Sequence, residues 1–269
     1  MKIRSEPAKI PATRKELLGV ILKEHFFDIV ICSIYIFAFA FPLAFWLIFI
    51  SQTSYIVITK ENYLLNALVI YLPVLLGIII FGIGLGGGLY FMKKLAFQEG
   101  SNVHQDFFKG IKETFKQSLV SFSFIGLLYS LLGVSKVILN FAEGLDGSIK
   151  AILIGLMYAL FCISIVIVSF NMTQSILYNA TQGQLIVNSM RFLIGKALLN
   201  ILFFLIILTP FILYEIFSIS WVHWLLFGMC AIWHFGFTSL IFTLYSHHIF
   251  DLSINRNYPE IYRKGLRKD

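Results

Sequence analysis

Charge is the first thing this chain has little of: Asp, Glu, Lys and Arg make up 13% of its 269 residues, while 58% are hydrophobic. Soluble domains carry about 25% charged residues, so water is not the main solvent of this chain. Cysteine is scarce as well. Cys32, Cys162 and Cys230 each fall inside a long apolar run at a spacing that fits no metal pattern, and they read as small buried hydrophobes. Reaction chemistry is missing too. There is no His-Glu-x-x-His string, and His223, His247 and His248 fall at the ends of apolar runs without a paired carboxylate. No nucleophile and base share a depth, so neither an enzyme, a metal site nor a bound cofactor is expected.

What remains is long apolar sequence. A hydrocarbon layer about 30 Å thick needs about 20 apolar helical residues, and six stretches meet that length: Phe27 to Ile50, Leu64 to Met92, Leu119 to Leu139, Ala151 to Tyr178, Ala197 to Ile216 and Trp221 to Ser246. They are continuous Leu, Ile, Val and Phe runs, without the apolar/polar alternation of barrel strands. The expected fold is all-α: one six-span membrane domain over residues 1–269, short amphipathic interfacial helices and a basic tail at 247–269. Ala38-Phe39-Ala40 imitates a signal cleavage site, but the apolar run continues past it, so an uncleaved anchor is expected.

The cations set the orientation, since cytoplasmic loops are enriched in Lys and Arg. Eighteen of the 21 Lys and Arg residues fall on one side of the six-span reading. They sit in the N-terminal segment (Lys2, Arg4, Lys9, Arg14, Lys15, Lys23), the connection from Lys93 to Lys116, the connection holding Arg191 and Lys196, and the tail; Lys60, Lys136 and Lys150 are left for the other side. Both termini are expected in the cytoplasm. The net charge of +7 then reads as orientation plus attraction to anionic lipid headgroups. No basic domain stands free of the apolar runs, so nucleic acid is not an expected partner.

Three amphipathic segments gather on the same side. Thr13 to Glu24 interleaves Leu17, Leu18, Ile21 and Leu22 with charges. From Asp106, Phe107, Ile111 and Phe115 recur at intervals of four opposite Lys109, Lys112, Glu113 and Lys116, which predicts a helix lying at the interface before turning into the third span. Asn179 to Lys196 mixes Leu185, Ile186, Met190 and Phe192 with polar residues. The opposite loops are too short for a folded domain, so a protein partner is expected on the basic side.

Within the spans, Gly82, Gly84 and Gly87 satisfy G-x-G-x-x-G literally. A dinucleotide site needs a preceding strand, however, and here the glycines interrupt an apolar helix. Gly82 with Gly86 and Gly84 with Gly88 form small-xxx-small pairs instead, the pattern that lets membrane helices approach closely. Pro42, Pro73 and Pro210 fall within the first, second and fifth spans. Lys136 and Glu215 lie at similar depth and form a candidate ion pair. Asn171, Gln174, Asn200 and His234 are either interhelical hydrogen-bond donors and acceptors or the lining of a polar cavity between the fourth, fifth and sixth spans.

Gly84 to Leu95 (GLGGGLYFMKKL), followed by Asp106 to Gln117 (DFFKGIKETFKQ), resembles the small-residue turn, aromatic, basic pair and Phe-rich amphipathic helix of YesL-type bacterial membrane proteins. Phe250 to Leu266 resembles the closing segment of their longer Gram-positive forms. Where those relatives carry Gly-Pro-Ala, this chain has Gly84-Leu85-Gly86. The resemblance implies a multi-pass protein of the bacterial cytoplasmic membrane, in a family without an established activity whose members are associated with carbohydrate uptake and two-component sensing. Two functional readings follow. The first is a non-enzymatic accessory or regulatory protein that docks a membrane transporter or sensor on its cytoplasmic side. The second is a small-solute permease using the four polar residues.

Overall fold

The computed structural model describes residues 10–52, 61–142, 144–217 and 220–267. Lys2, Arg4, Lys9, Lys60 and Lys268 of the charge count lie outside them. The described secondary structure is entirely helical: α1 (Arg14–Glu24), α2 (Phe26–Gln52), α3 (Tyr63–Ala96), α4 (Val103–Phe141), α5 (Gly147–Leu177), α6 (Gln182–Gly195), α7 (Ala197–Ile216), α8 (Ser220–Met229) and α9 (Phe235–Ser253). A π-turn at Cys230–His234 joins α8 to α9.

Five runs are long and apolar enough to cross a membrane: Phe26–Ile50, Tyr63–Ala96, Val103–Phe141, Gly147–Leu177 and Trp221–Ser253. The sixth is met by α6 and α7 together, bent by 99°. With 20 residues, α7 reaches about the minimum for crossing by itself. The chain is therefore an all-α, multi-pass membrane bundle of five to six spanning helices.

The helix starts follow local side-chain chemistry. Thr13 accepts from the Glu16 amide, while the Glu16 carboxylate accepts from the Ala12 amide. Asn102 accepts from Gln105 at the start of α4, and Thr181 with Gln184 forms a capping box at the start of α6. The α4 helix differs from the sequence expectation. Residues 106–116 do not form a separate interfacial helix that turns into a span; they are the opening turns of one uninterrupted 39-residue helix. No Pro interrupts them, and the missing side chain of Gly110 is used to seat Tyr90 of α3.

The glycine-rich turn of α3 is the axis of the bundle. Cβ atoms on Gly82 and Gly86 would run into Phe122, and into Thr114 and Ser118, of α4. Those on Gly84 and Gly88 would run into Phe39 and Ile36 of α2; the Gly84 Cβ would lie 2.5 Å from Phe39 Cβ. The two overlapping small-xxx-small pairs thus serve two different neighbours, as their offset of two residues requires in a helix of 3.6 residues per turn. Core packing continues from this axis. One cluster joins Leu17 and Ile21 of α1 to Phe91, Met92, Leu240 and Leu244, and a second joins Phe122, Phe170, Phe192, Phe242 and Phe250.

Pro42, Pro73 and Pro210 all lie within continuous helices. Proline removes the donor to the carbonyl four residues before it, and in two of the three cases the next carbonyl of that turn has a side-chain partner on a neighbouring helix. Here Trp46 Nε1 donates to Ile70 O at 2.9 Å, three residues before Pro73. His234 Nε2 stands 2.9 Å from Ile207 O, three residues before Pro210.

Candidate functional site

The polar residues of the spans are held by different helices. Asn171 Oδ1 accepts from Gln117 of α4. Gln174 Nε2 donates to Ser189 Oγ at 2.8 Å and to Leu185 O at 3.3 Å, tying α5 to α6. Asn200 donates to Phe192 O at 3.0 Å and accepts from Tyr245 at 2.7 Å, so it fastens α7 to both α6 and α9. His234 faces the Ile207 carbonyl of α7, and a carbonyl partner requires Nε2 to carry the proton. Asn171, Gln174 and Asn200 are buried, and each of the four has an internal partner.

The structure does contain a cavity of about 90 Å³, but other residues line it. Ala40, Ala44 and Ile48 of α2 face Pro210 of α7 and His223 and Cys230 of the last span across it, and almost every wall is apolar. None of Asn171, Gln174, Asn200 or His234 contributes to those walls.

The Glu215 side chain lies outside the described residues, and so does the candidate ion pair that Glu215 would form with Lys136. Lys136 Nζ donates to the Tyr158 hydroxyl at 2.8 Å, one helix away on α5. Of the cysteines, Cys32 and Cys230 are buried as small hydrophobes, whereas Cys162 is exposed on α5, because the outer part of that helix has few neighbours. Among the described residues, no three His, Cys, Asp or Glu side chains are placed to hold a metal ion.

The densest polar assembly lies where α1, the ends of α3, α5 and α9, and the tail meet. Arg14, at the start of α1, is buried against Asp251 of α9, with Nη2 at 2.8 Å from the carboxylate. Its other terminal nitrogen, Nη1, donates to Lys264 O at 2.9 Å and to Ala96 O at 3.3 Å. The second Asp251 oxygen accepts from Asn255 at 2.7 Å and from the Arg263 amide at 3.2 Å. Tyr178, just beyond α5, donates to Asn255.

Around this hub the tail folds back over the helix ends. Arg263 donates to Ala12 O, the Arg267 amide donates to Pro11 O at 2.9 Å, and Lys264 pairs with Glu99 at 2.7 Å. Gly265 adopts φ +82° directly against Ala96 O, a close approach that no side chain permits. Part of the basic count is therefore structural: Arg14, Lys94 (paired with Asp106 at 2.7 Å) and Lys264 are engaged internally. From sequence the tail is only a basic segment, and Asp251 carries no expected role. The available signal was Asp251 itself, a carboxylate following an apolar span, where a buried cationic partner is the usual explanation.

No family model, no curated protein and no solved structure matches this chain.

Proposed function

We propose that the protein is a non-enzymatic accessory or regulatory component of the bacterial cytoplasmic membrane, of the YesL type, which docks a transporter or sensor on the end of the bundle that carries both termini. The observation that supports this reading is the tail. It is folded onto α1, α3 and α9 around Arg14 and Asp251, and so presents a fixed surface. Leu252, Tyr258 and Tyr262 are exposed on that surface beside exposed Arg256. Preordered aromatic and Arg side chains are the residue types that anchor protein interfaces. Asn171, Gln174, Asn200 and His234 meanwhile each hold a hydrogen bond to another helix.

The test is extraction of the full chain from its native membrane into polymer nanodiscs after brief crosslinking, followed by mass spectrometry. The reading expects a transporter or sensor chain in near-stoichiometric amount, lost in a Tyr258→Ala/Tyr262→Ala variant that keeps its melting temperature. Recovery of this chain alone, or an unchanged partner yield in the variant, overturns it.

A further inference from the structure

On the outward face of α4, hydrocarbon-facing residues give way to cations without a break in the helix. Val120, Phe124, Leu127 and Leu131 form an exposed apolar row at spacings of three and four. The same row continues toward the helix start through Lys116, Lys112 and Lys109, all exposed. Residues at these spacings share one face, so the change of character happens along a single line. On the opposite side Phe107, Gly110, Thr114 and Ser118 are buried, with α3 packed against them.

Length locates that change relative to the bilayer. From Phe141 to Lys116 the helix rises about 38 Å. A hydrocarbon layer of about 30 Å uses about 20 residues of an upright helix and about 26 of one tilted by 40°. With Phe141 at one boundary, the other falls between Ser121 and Phe115, so Lys116 stands at or just beyond it and Lys112 and Lys109 stand at headgroup depth. Lys109, Lys112 and Lys116 make no ion pair among the described residues, in contrast to Lys94 and Lys264, and Glu113 is the one carboxylate between them. Phe108 and Phe115 flank the lysines and are themselves exposed, as aromatic side chains are at membrane interfaces.

We infer that Lys109, Lys112 and Lys116 form a binding site for the phosphate groups of anionic phospholipids, with Phe115 at the edge of the acyl layer and Phe108 among the headgroups. This assigns residues to the lipid attraction expected from net charge, and it does not depend on the docking reading. Each ammonium presents three donors at the depth where lipid phosphates lie, and an ammonium near an anionic surface is attracted strongly enough to bias which lipid stays bound.

The test uses the full chain in nanodiscs of phosphatidylcholine containing a minority of phosphatidylglycerol. The retained lipids are counted by native mass spectrometry. Wild type retains phosphatidylglycerol above its bulk share, and each lysine removed by K109Q, K112Q or K116Q lowers that enrichment about fivefold. Replacing all three by Arg preserves it, as do R191Q and K196Q at the end of α6. The triple variant K109Q/K112Q/K116Q loses the enrichment altogether, and if it does not fold the single variants carry the test. Enrichment that is unchanged in the Gln variants, or lost equally with R191Q and K196Q, overturns the assignment. So does loss of a co-purifying protein with lipid enrichment intact, which would make the face a protein contact.

Discussion

Arg14 and Asp251 stand 237 positions apart in the chain and meet as a buried ion pair at 2.8 Å. Their contact joins the helix before the first span to the helix end after the last. Removing one member of such a pair leaves a buried charge without compensation, at a cost of about 3–5 kcal/mol, whereas replacing both by apolar groups is often close to neutral. Arg14→Met is expected to lower detergent melting sharply, and Arg14→Met/Asp251→Leu to recover most of the loss. A double variant no better than Arg14→Met would show that the guanidinium bonds to Lys264 O and Ala96 O dominate instead.

Glycine substitutions should separate by neighbour. Gly84→Leu and Gly86→Leu force α3 away from α2 and from α4 respectively, and overpacking of this kind costs about 1–3 kcal/mol or more. Gly155→Ala on α5 meets nothing within 4 Å and should be neutral or slightly stabilising, as Ala favours helix over Gly by about 1 kcal/mol. Melting temperature and size-exclusion profile in mild detergent give the comparison. Equal effects at all three positions would contradict the packing described for α3.

Gly265→Val should detach the tail without unfolding the spans, because any Cβ at this φ of +82° strikes Ala96 O. Limited trypsin digestion is the readout, with cleavage after Arg256 and Arg263 accelerated while the helical circular dichroism signal stays within error. Tail cleavage at the wild-type rate would mean that the remaining contacts hold it unaided.

Gln174→Leu removes the bonds to Ser189 and Leu185 at the α5–α6 contact. Interhelical hydrogen bonds in membranes average about 0.6 kcal/mol and reach about 1.7, so a small drop in melting temperature is expected. A large loss of solute uptake in cells, with stability little changed, would favour the permease reading.

Much of the scaffold was legible from hydropathy alone. Five of the six expected spans match helices able to cross singly, because a run of 20 apolar residues has one low-energy solution in lipid. The 99° elbow at Gly195–Lys196 was not legible, since periodicity reports a helix's face and not its direction. The same limit explains α4: an amphipathic pattern followed by an apolar one suggested two elements, yet nothing at the junction stops the helix. Of the polar positions, Asn171, Gln174 and Asn200 could be read as important but not as separate, because their partners Gln117, Ser189 and Tyr245 come from other helices. Asp251 needed the tail's return path, which no local signal encodes.

The unbroken course of α4 has a mechanical corollary. A helix of 39 residues is a rod about 58 Å long, and α3 braces it from Tyr71 to Gly87 through contacts at Gly133, Gly126, Phe122 and Phe107. Such a rod cannot fold at a joint. Its two ends are therefore fastened to one and the same neighbour, by Phe107 against Gly87 near the start and by Gly133 against Tyr71 and Phe141 against Tyr63 near the finish.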